Sequence, residues 1–100
     1  MLHWGSVHTF EFSDGFTETI EVTYEPRSVA GSGDTTLVVL SPALFEICER
    51  LVRSPHLRVH VTATSPLALL EAQALRQQLD IYKVKPSQVT VAYDRTVVPQ

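Results

Sequence analysis

Twice in this chain a Ser-Pro pair separates a strand-like run from a helical one. Ser41-Pro42 follows the apolar stretch Thr35–Leu40 and opens a helical pattern that leads into the alternating run Leu57–Ala63; Ser65-Pro66 opens a second that leads into Val89–Tyr93. The spacing predicts strand-helix-strand-helix-strand, helices packed on a sheet. A serine hydroxyl accepts from the free amides of a first helical turn, and proline loses nothing at the first helical position, where its missing N–H has no partner anyway. Ser41 and Ser65 are therefore expected as helix caps.

In the first helix Leu44, Ile47, Cys48 and Leu51 fall on one stripe, and Glu46–Arg50 and Glu49–Arg53 are spaced for ion pairs on the other face, before a stop near Ser54-Pro55. In the second, Ala68, Ala72, Leu75 and Leu79 form the expected stripe, with Leu67 and Leu70 at its margin. Ahead of the repeat, Val7–Phe12 and Thr17–Glu25 alternate: His8, Phe10 and Phe12 share a face, as do Ile20, Val22 and Tyr24. Ser13-Asp14-Gly15 between them supplies the turn of a half-buried antiparallel hairpin. The expected fold is α+β: a hairpin (1–26), a linker (27–34), a β-α-β-α-β unit (35–93) with two helices on one mixed sheet, and a tail (94–100). One hundred residues suit a single domain.

Net charge is −3, and the acids crowd the front: residues 1–36 hold Glu11, Asp14, Glu18, Glu21, Glu25 and Asp34 against Arg27 alone. Affinity for a phosphate backbone needs clustered Lys and Arg, so nucleic acid is not expected as a partner. No apolar run reaches the roughly 20 residues of a membrane span, and the start lacks the basic and apolar regions of a secretory signal. Gly31-Ser32-Gly33 precedes a strand instead of opening a helix, and no Gly-Lys-Ser/Thr follows, so it reads as a connector and not a phosphate loop.

Candidates for chemistry are sparse. Cys48 has no disulfide partner in the chain and sits on an apolar stripe, where a thiol is a small hydrophobe. His3, His8, His56 and His60 lack the converging ligands of a zinc site, so neither metal nor cofactor is expected. No Gly-x-Ser-x-Gly elbow surrounds any serine, and the chain is read as no enzyme. His8, beside Phe10, is the one histidine placed for burial and a shifted pKa.

The stretch Leu57–Tyr93 resembles the C-terminal half of the OmpA-like domain, a peptidoglycan-binding module of Gram-negative envelopes. Val59-His60-Val61-Thr62-Ala63-Thr64 is similar to its strand, Leu69-Leu70-Glu71-Ala72 to its Leu-Ser-x-x-Arg-Ala helix, and Leu79, Val84, Val89, Val91 and Tyr93 to its later spacing. The Asp and Arg with which that family holds the peptide stem have no counterpart: the loop is shortened to Thr64-Ser65-Pro66, and Glu71 stands at the Arg position. The resemblance implies a scaffold or docking domain of a bacterial envelope secretion or pilus assembly, placed in the periplasm or envelope, or else in the cytoplasm without that kinship. The partner is then another protein, met through an exposed strand edge, the acidic hairpin's included, or through the Arg58/His60 sheet face, with Trp4 and Val97-Val98 as anchors. The alternative is a divergent cell-wall module, with a cleft near Thr62–Ser65 and Glu71 and with Arg58 or Arg76 facing an anionic group. The candidate ligand residues are Arg58, His60, Thr62, Thr64, Glu71 and Arg76.

Overall fold

The computed structural model describes residues 4–28, 31, 33, 35–65 and 67–95. Five strands and two helices follow in the order β1 (Trp4–Phe12), β2 (Thr17–Ser28), β3 (Thr35–Val39), α1 (Pro42–Arg53), β4 (Val59–Ser65), α2 (Ala68–Ile81) and β5 (Val89–Arg95), with a 3₁₀ turn at Pro86–Gln88 before β5. One mixed sheet runs β3-β2-β1-β4-β5, antiparallel except for the β4/β5 pair. The α+β architecture with two helices on one sheet is as the hydrophobic periodicities predict.

The hairpin is the middle of this sheet. β1 pairs with β2 on one side and β4 on the other, and β2 is flanked in turn by β3. The acidic hairpin therefore offers no free edge, contrary to the docking expectation, and among the described residues the free edges belong to β3 and β5. β2 also runs three residues further than expected, absorbing the start of the supposed linker: Pro26, Arg27 and Ser28 pair with Leu37, Thr36 and Thr35. Pro26 lies past the described part of β1, whose first described residue, Trp4, stands opposite Tyr24. Asp94 and Arg95, expected in the tail, are strand residues opposite Thr64 and Ser65; Val97-Val98 and the side chain of Trp4 lie outside what is described.

Both helices cover the same sheet face. Phe10 and Phe12 of β1, Val59 and Val61 of β4 and Val89 of β5 pack with Leu44, Ile47, Cys48 and Leu51 of α1 and Leu75 and Leu79 of α2. A second cluster joins Val22, Tyr24 and Leu37 to Ala74. The other face carries Thr9, Glu11, Thr19, Glu21, His60, Thr62, Thr90 and Ala92, polar as a solvated antiparallel face is.

Ser41 stands at the N-cap of α1 with Pro42 following, as expected, but neither its side chain nor that of Ser65 makes a helix-capping bond. Ser41 Oγ accepts the Thr23 N–H at 2.7 Å and donates to the Glu21 carbonyl at 3.2 Å, stitching the start of α1 to β2. Ser65 ends β4, fully buried, and its Oγ accepts from the Leu67 N–H at 3.0 Å, so α2 starts only at Ala68. Arg50 turns from Glu46 to pair with Asp14, its guanidinium 4.4 Å and 5.0 Å from the ring centroids of Phe12 and Phe16. The pair is half-exposed and worth at most about 1 kcal/mol, so the rings contribute comparably to holding the hairpin turn against α1. Glu49–Arg53 forms as spaced.

Two devices seat β5. α2 stops in a left-handed turn at Lys83 (φ 69°), with Lys83 N–H bonded to Asp80 O and Val84 N–H to Leu79 O, both at 3.0 Å. Gln88, buried, aims its amide nitrogen at the carbonyls of Leu51, Ser54 and Leu57 at 2.9, 3.0 and 2.9 Å, tying the end of α1 and the approach to β4 to the start of β5. Gln88→Ala strands these carbonyls and should lower unfolding free energy by about 2–3 kcal/mol in urea titrations. Lys83→Gly relieves a left-handed side-chain conformation and should raise it by about 1 kcal/mol in the same assay.

Candidate functional site

The densest chemistry lies under α2, on the covered face of β1. That face reads Ser6, His8, Phe10, Phe12, and its two polar members are buried along with the two rings. His8 Nδ1 lies 2.8 Å from its own strand's Ser6 carbonyl, which only a donor satisfies, so the proton sits on Nδ1 and Nε2 accepts. Two phenols meet Nε2: Tyr24 Oη at 3.0 Å and Tyr93 Oη closer still, the two hydroxyls 3.3 Å apart. Tyr93 reaches His8 across β4 because the residue between them in the row is Ala63, too small to fill the gap. The rings meet edge to face at 5.0 Å.

α2 adds a carboxylate. Glu71 is fully buried, its Oε1 accepting from Ser6 Oγ at 2.9 Å while Oε2 has no hydrogen-bond partner among the described residues. Burial raises its carboxyl above the usual 4.5, against the smaller opposing pull of the Ser6 hydroxyl. Burial likewise lowers the His8 imidazole below 6.5, opposed by the Ser6 carbonyl. Both phenols are pushed up, mainly by burial, with Glu71 adding to each. The low-dielectric pocket thus favours the neutral form of every member. A substrate reaches none of Ser6, His8 or Glu71 unless α2 moves, so the arrangement works as a polar clamp between helix and sheet.

The six residues picked from the sequence do not converge. Arg58 and His60 line a shallow depression of about 270 Å³ with Glu11, Ser13, Ser87 and Thr90, where His60 Nδ1 meets Thr90 Oγ1 at 2.7 Å. Thr62 and Thr64 follow on the same open face, Glu71 lies on the covered one, and Arg76 is exposed on α2. The expected cleft joining Thr62–Ser65 to Glu71 is divided by β4 itself. Cys48 is buried and its thiol is pushed up to about 12 by desolvation. Among the described residues no three His, Cys, Asp or Glu side chains are grouped to hold a metal, and no helix is long and apolar enough to cross a membrane.

Sequence reasoning singled out His8, and Glu71 as a ligand residue, but not the bonds that join Ser6 to Glu71 and His8 to Tyr24 and Tyr93. The signal was present for Glu71, which stands on the same helical stripe as Ala74, Leu75, Gln78 and Leu79, and for Tyr24 and Tyr93, which close two apolar alternations.

The cluster makes stability depend on pH from two sides. Between 4.5 and its raised folded value, Glu71 holds a proton that the unfolded chain has released, so its contribution is complete below 4.5 and is lost as pH rises through the folded value. His8 does the reverse: its contribution is present above 6.5 and lost as pH falls through the lowered folded value. Glu71→Gln should therefore gain on wild type with rising pH, by up to about 1.4 kcal/mol per unit until the folded pKa is passed, measured by urea unfolding across pH; a pH-independent difference would refute the assignment. No family model matches the chain, nor does any curated protein or solved structure.

Proposed function

We propose that this chain is a non-catalytic protein-interaction domain which takes an extended segment of its partner along the free edge of β5. On the resemblance given above, its setting is an envelope secretion or pilus assembly. The observation carrying the reading is that edge. Among the described residues β5 pairs only with β4, and from Val89 to Tyr93 it holds neither charge nor proline, the features that usually protect an edge from strand addition. β3 is the shorter edge, five residues against seven. The chemistry under α2 supports the same reading, because it is used up in holding the fold.

The test is differential. A protein retained by the wild-type domain, once identified and purified, should lose about tenfold or more in affinity for a Thr90→Lys/Ala92→Lys variant, whose two changes lie on exposed positions of β5. Circular dichroism checks that the variant is folded. Unchanged affinity, or saturable amide shifts at Thr62–Glu71 on titrating muropeptides, would overturn the reading in favour of another face or of cell-wall binding.

A further inference from the structure

Beside the start of β5 lies a groove of about 220 Å³ that the fold does not fill, lined by Arg76, Leu79, Asp80, Val84, Lys85, Pro86 and Val89. We propose that it anchors the partner segment: it takes one apolar side chain of an extended acidic peptide whose backbone adds to β5. The proposal rests on the edge-docking reading and gives that partner its chemistry.

Position comes first. Lining residues come from the second half of α2, the loop after it and the first residue of β5, while α1 and β4 contribute none, so the groove lies beside the strand whose far edge no second described strand pairs. Val89 faces the covered side of the sheet, and a strand laid against β5 turns alternate side chains to that same side. One of them meets the groove. Its floor is preformed, since the left-handed stop at Lys83 folds Val84 back on Leu79, and Pro86 and Val89 complete it.

Size and charge then select the occupant. An apolar cavity of about 150 Å³ admits a benzene ring, and drug-sized ligands need about 300–1,000 Å³, so this groove suits a single Leu or Phe side chain. Arg76 and Lys85 flank it against Asp80 alone, and neither cation takes part in the ion pairs Arg27–Glu25, Arg50–Asp14 and Arg53–Glu49. In a chain of net charge −3 this is a local excess of positive charge over an apolar floor. Carboxylates on either side of the anchor are attracted there and ammonium groups repelled.

A library of random linear peptides displayed on phage is selected against the wild-type domain, and winners are measured as synthetic peptides by fluorescence anisotropy and by backbone amide shifts. The expected winners carry an apolar residue flanked by Asp or Glu and shift Arg76, Val84, Lys85 and Val89. They should lose about tenfold in affinity for an Arg76→Glu/Lys85→Glu variant, which alters two exposed side chains, and about as much when the apolar residue is replaced by alanine. Winners that are basic, or insensitive to the charge reversal, overturn the proposal. Shifts confined to Thr90–Ala92 overturn the groove and leave edge docking standing, whereas a library that yields no binder to β5 or the groove overturns both.

Discussion

Because both helices lie on one side of the sheet, the strand at its centre has one face sealed from Ser6 to Phe12. β1 occupies that place, with α2 above and a strand on either side, and Phe10 and Phe12 meet the requirement by being apolar. Ser6 and His8 meet it only by pairing, because a buried donor or acceptor without a partner costs about 1–3 kcal/mol. Their partners come from three other elements: Tyr24 from β2, Tyr93 from β5 and Glu71 from α2. The polar network thereby fixes which turn of α2 sits over β1, a specificity that apolar packing alone leaves looser.

The opposite face and the two sheet edges have no such constraint. Glu11, Thr19 and Glu21 there face solvent, and His60 finds its partner in Thr90 on the neighbouring strand. The molecule thus separates a closed face, where the polar groups hold helix to sheet, from a rim at β5 that no second described strand pairs and that lies beside an apolar groove flanked by two cations.

Strand and helix types were legible because period two and period 3.6 are written in apolar residues: Val59, Val61 and Ala63 alternate, and Leu44, Ile47, Cys48 and Leu51 recur each turn. Cap chemistry was not: the Ser41 hydroxyl is taken by the backbone of β2, and that of Ser65 by the Leu67 amide in a local turn ahead of α2. Arg50 escaped for the same reason, Asp14 and two rings outweighing Glu46 on its own helix. The site was legible only in part. A polar residue on an apolar stripe looks like an error of register until its partner is found, and Glu71 finds Ser6 at a distance in sequence that no local pattern spans.

The sheet order also differs sharply from the chain order. His8 pairs with Ala63, so the central ladder of the sheet joins the beginning of the chain to its second half. During synthesis β1, β2 and β3 emerge first with their apolar face unroofed, and β1 keeps an open side until β4 has left the ribosome. Such non-local closure slows folding and lengthens the exposure of unpaired strands, so the nascent chain depends on delay and protection more than the finished domain does.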